Sequence, residues 1–206
     1  MYISSRPVSV IYKLLFLALV LYGIYMSFVE PIVEEDLFPI SYFSIQSNIL
    51  VAMTTFYFIM IPRFTRFSAI VRGSVMLCIL VTGLVFHIVL VPHYTEFFKE
   101  GLAFKDHLTH TIAPLGFVLD WLLFDQKGLM KFFDIKYWVI YPLLYWIITV
   151  SQGAFSGVYT YFFMDIGEIG FKDALAWLLA LSVIFIIIGF VLIGIDNLLR
   201  KQVPTQ

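Results

Sequence analysis

The stretch DHLTHTIAPLGFVLDWLLF (106–124) sets two histidines at the front of an apolar run and an aspartate near its back. His107 and His110 are three residues apart and share a helix face, which Thr111 extends. Ionisable groups inside such a segment are costly, so they mark a candidate site. A second polar face lies in SYFSIQSNIL (41–50), where Ser41, Ser44 and Asn48 align by three- and four-residue steps. A hydroxyl and an imidazole within reach form the minimal nucleophile–base pair. Ser44 is the candidate nucleophile and His110 the candidate base. Placed in the first turn of its helix, His110 is favoured in the neutral form that accepts a proton. Asn48, Gln152, Thr111, His107 and His87 are candidates for contacting substrate or an oxyanion. A rival arrangement gathers His107, His110 and His87, with Asp106 in reach, as three ligands of a catalytic zinc. The His-x-x-His spacing recurs by chance, so the favoured reading assigns no metal and no cofactor.

Each of these residues also has a structural reading. Serine in a membrane helix lets backbones approach or bonds its own helix. His110 can tie two helices together, and His87 and His107 can sit at an interface. Asp120 beside Trp121 and Asp196 near Arg200 read as anchors of the inner boundary. Tyrosines and tryptophans near helix ends fit an aromatic belt. Pro114 deprives the His110 carbonyl of its helical partner, so the bend there must face protein or a wet cavity.

The elements that position these residues are membrane helices. Of the 206 residues, 61% are hydrophobic and only 13% charged, against roughly 25% charged in soluble domains. Spans of about 20 apolar residues are predicted at 8–29, 38–61, 70–91, 107–124, 137–157 and 174–198. This is an all-α, six-helix membrane bundle forming one domain over 1–206. Arg6, Lys13, Arg63, Arg66, Arg72, Lys127, Lys131, Lys136, Arg200 and Lys201 fall on one side, and Lys99, Lys105 and Lys172 on the other. By the positive-inside rule both termini are cytoplasmic. The opposite side collects acids, among them Glu34, Glu35 and Asp36. In this topology Ser44 lies roughly 9 Å below its helix's outer entry point at Phe38. All four histidines fall in the outer half or its loop.

Composition excludes other classes. No basic patch suggests nucleic acid. The single Cys78 excludes an intrachain disulfide. The first apolar run is too long for a signal peptide and lacks a cleavage site, so it reads as a retained helix.

The segments SYFSIQSNIL (41–50), HLTHTIAPLGFVLDWLLFD (107–125), YWVIYPLLYW (137–146) and GAFSGVYTYFFMDIGEIGF (153–171) resemble a bacterial family of six-helix integral membrane proteins with no assigned activity. More distantly, the chain is similar to the androgen-induced membrane proteins, which hydrolyse fatty acid esters of hydroxy fatty acids with a threonine and a histidine. In that resemblance His110, second histidine of a His-x-x-His-Thr motif, matches the family histidine. Ser44, in the setting Phe43-Ser44-Ile45, matches the threonine. The resemblance implies a plasma-membrane hydrolase of lipid esters, with membrane lipid or lipid-ester substrate as its partner. A non-catalytic lipid or small-molecule binding or transport protein would use the same cavity.

Overall fold

The computed structural model describes residues 5–30 and 37–200, and Glu34, Glu35, Asp36 and Lys201 lie outside them. It is all-α, with no strand among the described residues. Helix α1 spans Arg6–Val29 and α2 spans Phe43–Met60. Helix α3 runs Arg66–Val85, widens into a π turn at Phe86–Leu90 and ends with Val91–His93. Helix α4 begins at Phe104–His107, passes a second π turn at Leu108–Ile112 and continues as Ala113–Phe124. After a short turn at Ile135–Trp138, α5 spans Ile140–Ser156, and α6 spans Phe171–Leu198.

Local chemistry sets these boundaries. Thr65 caps α3 by accepting from the Ser68 amide at 3.1 Å, and Ser68 Oγ accepts from the Thr65 amide at 2.8 Å. That reciprocal cap satisfies two amides the helix start leaves free. Gly157 ends α5 in the left-handed conformation, at φ 78°, which costs glycine no Cβ clash.

Among the described residues, five helical segments are long and apolar enough to cross a membrane: Arg6–Val29, Phe43–Met60, Arg66–His93, Phe132–Ser156 and Phe171–Leu198. Helix α4 forms but stands outside that set, because its length carries Lys105, Asp106, two histidines and Asp120. Two predicted starts move. The second segment opens with a 3-10 turn at Pro39–Ser41 and an extended Tyr42, so Ser44 lies in the first helical turn rather than two turns in. Helix α4 begins three residues before His107, so His110 sits in its second turn, away from the helix's positive end.

Helix α3 is the hub, packing against α2, α4, the Ile135–Trp138 turn and α6. Met76, Leu77 and Ile79 at its centre are fully buried. At Gly73 the missing side chain makes room for the buried indole of Trp138.

One end of the bundle is tied by charge. Buried Asp120 on α4 accepts from Lys13 Nζ of α1 at 2.5 Å and from Arg72 Nη2 of α3 at 2.5 Å. Arg72 Nε also lies 3.1 Å from Asp125. Burial pushes the Asp125 carboxyl up to about 6, against the pull of Arg72. Asp196 of α6 accepts from the Gly128 and Met130 amides at 2.9 and 2.8 Å. Arg66 pairs with Asp134. Asp120 and Asp196, read from sequence as boundary anchors, are thus acceptors for distant segments.

Candidate functional site

Two cavities meet at the opposite half of the bundle. The larger, about 220 Å³, runs between α3, α5 and α6. The smaller, about 100 Å³, lies under the loop that carries Tyr94, Phe97 and Phe98, beside Lys105 and Asp106. Four residues line both: Ser44, Leu90, His110 and Tyr161. The shared wall therefore holds three polar side chains in otherwise largely apolar surroundings.

Ser44 is the second residue of α2, where backbone amides have no intrahelical partner. The Phe43 amide donates to the Tyr145 hydroxyl at 3.2 Å, which itself donates to the Ser41 carbonyl at 2.9 Å. Tyr161, from the loop between α5 and α6, shares the lining of the larger cavity with Ser44 and Tyr145. Its ring stacks on Phe163 at 5.1 Å and meets Tyr42 edge-on at 5.9 Å. Burial pushes the Tyr161 phenol up to about 12, so it keeps its proton at neutral pH and remains able to donate.

His110 occupies the π turn of α4, its ring stacked on Phe86 at 3.8 Å and 10°. Its tautomer follows from its neighbours. The single proton of the Thr109 hydroxyl goes to the Lys105 carbonyl at 2.9 Å. His110 Nδ1 must therefore be the donor to Thr109 Oγ1, at 2.9 Å, with the Asp106 carbonyl at 3.3 Å. That leaves Nε2 with its lone pair free to accept. Asn48 links the two halves: its Nδ2 donates to the Ser44 carbonyl at 2.8 Å and to the Thr109 carbonyl at 3.1 Å.

The π turns explain how α4 brings this histidine in. In each, an N–H bonds five residues back, Ala113 to Leu108 and Val91 to Phe86. Each wide turn lies just ahead of a proline, Pro114 and Pro92, which supplies no N–H of its own. The two turns face one another, with Phe86 on His110 and His87 Nε2 3.0 Å from Thr111 Oγ1. Close approach of α3 depends on Gly83, where a Cβ would stand 2.7 Å from the His110 carbonyl oxygen. π turns of this kind recur at functional sites.

The other sequence candidates are placed differently. Asn48 is fully buried and braces the site from behind, its Oδ1 without a partner. Thr111 and His87 pair with each other and line neither cavity. His107 is exposed, since the π turn takes it off the face of His110. Gln152 is exposed on α5 and also lines neither cavity. Among the described residues no three His, Cys, Asp or Glu side chains converge as a metal-holding group. Tyr161 and Tyr145 are the residues that sequence reasoning missed. Their tyrosine-rich segments look like any interfacial belt, and no spacing rule links them to Ser44. No family model, curated protein or solved structure matches the chain.

Proposed function

We propose that the chain is a six-span plasma-membrane hydrolase of lipid acyl esters, with both termini cytoplasmic and its site in the outer half. The observation that carries this reading is the shared wall: Ser44, His110 and Tyr161 line both cavities, and His110 Nε2 is free to accept. In the proposed mechanism Ser44 Oγ attacks the acyl carbon while its proton passes to His110 Nε2. The oxyanion is met by the Tyr161 hydroxyl, which lines both cavities with Ser44. The imidazolium then returns its proton to the leaving alkoxide, giving a free alcohol and an acyl-serine. Water, activated by the same imidazole, cleaves the acyl-serine and restores Ser44. The basic residues on the α1, α3 and α6 ends of the charged cluster support the orientation. The resemblance to the androgen-induced membrane proteins supports the pairing of a hydroxyl with His110.

A second reading, lipid binding without turnover, is favoured by the mostly apolar walls of the larger cavity. The two separate in one experiment on the full chain in lipid nanodiscs, offered a panel of long-chain acyl esters. Ser44→Ala and His110→Ala should each abolish turnover, and the double variant should be no worse than either, because the pair acts as a unit. A serine-directed fluorophosphonate should label Ser44. Absence of Ser44-dependent turnover in folded wild type favours the binding reading. Stoichiometric metal whose removal stops turnover favours the zinc arrangement.

A further inference from the structure

The larger cavity has a flank that the mechanism above does not use. Helices α5 and α6 are joined mainly through the Ile135–Trp138 turn and the 3-10 turn Phe162–Met164, rather than along their own lengths. Between them the cavity wall includes Leu143 of α5 and Ile186 of α6, which are also 46% and 40% exposed on the outer surface of the bundle. A cavity whose lining reaches an exposed apolar flank of two membrane-length helices opens toward hydrocarbon, not toward water.

We propose that this cavity is an acyl-chain site entered sideways from the bilayer between α5 and α6, with the chain's polar end at Ser44, His110 and Tyr161. The occupant is one fatty-acyl chain bearing an ester or carboxyl group. Leu178, Leu181 and Phe185 of α6 give the deeper wall its carbon surface, and Ser182 turns its hydroxyl back to the Leu178 carbonyl at 2.7 Å. Two donors in the wall, Thr82 Oγ1 and Trp146 Nε1, are buried without a partner. Orphaned donors of this kind are costly unless something accepts from them. Neither atom is open to the cavity, and the occupant's polar group is called for by Ser44, His110 and Tyr161 at one end of an otherwise largely apolar lining.

This inference deepens the hydrolase reading but is tested apart from it. The probe is a long-chain fatty acid carrying a diazirine near its methyl end, photolysed with the full chain in phosphatidylcholine nanodiscs. Labelling should concentrate on the lining faces of α5 and α6, including Leu143 and Ile186 at the mouth. Leu181→Trp, which fills the cavity, should cut it at least ~5-fold, whereas Leu175→Trp on the same helix should not. Thermal stability is measured for each variant, and Ser182→Phe serves as the second filling variant if Leu181→Trp is unfolded. Even labelling of every exposed helix, unchanged by either filling variant, overturns the site. Labelling of the deep wall together with Phe97 and Phe98, and none at Leu143 or Ile186, overturns the sideways entry. Turnover without α5–α6 labelling removes this inference and leaves the hydrolase. Labelling without turnover does the reverse.

Discussion

At the scale of single residues, the site depends on which hydroxyls face Ser44. The Tyr161 phenol is buried and lines both cavities together with Ser44. Removing one oxyanion donor typically costs 10²–10³ in kcat, so Tyr161→Phe should lower ester turnover by at least about 10-fold with little change in KM. A matching loss of folded protein in nanodiscs would assign Tyr161 a structural task instead. Ser44 and His110 were legible in the sequence as candidates because polar groups inside apolar stretches stand out by their cost. Tyr161 was not, since a tyrosine in an aromatic loop carries no such cost until the fold buries it in the wall it shares with Ser44. Gln152 looked equally conspicuous, yet α5 turns it outward.

Among the elements, the π turns decide what periodicity can and cannot read. A rule of three and four places His107, His110 and Thr111 on one face, and that rule assumes an unbroken α register. The π turn at Leu108–Ile112 inserts a wider step, so His107 faces out, His110 faces the cavities and Thr111 reaches His87. Pro114 did announce an irregularity, but a missing N–H does not say which residues absorb it. The packing that holds the turn is sharper still. Gly83 backs directly onto the His110 carbonyl, so Gly83→Val forces α3 and α4 apart. Overpacking of this type costs about 1–3 kcal/mol, and a lowered melting temperature together with lost turnover is expected. A variant as stable and active as wild type would show that the close approach is not needed.

For the whole molecule, the hydrophobic pattern located the long helices to within a few residues at their ends, and five of them among the described residues are long and apolar enough to cross a membrane. The partners of the buried charges were beyond reach, because Lys13 and Arg72 come from segments 107 and 48 residues away from Asp120. Sidedness has its own test. Cysteines placed at Lys99 and Glu168, in a Cys78→Ala background, should react with an impermeant thiol reagent from outside, while Lys131 and Arg200 positions should not. Outside labelling at Lys131 would reverse the proposed orientation.

The Lys13–Asp120–Arg72 tie also makes the bundle a lever. Three helices are pinned at one end, so any rocking about that fulcrum is smallest there and largest at the far rim, where Ser44 and His110 line the cavities. Amide hydrogen exchange should accordingly be slowest through 72–80 and 117–121 and faster through 43–46 and 104–112. Asp120→Asn leaves two buried cations short of their shared acceptor, a loss of about 3–5 kcal/mol, and should flatten that gradient by loosening the pinned end. Uniform exchange in wild type would mean that the bundle moves as a rigid body, and substrate would then have to enter through a gap that is always open.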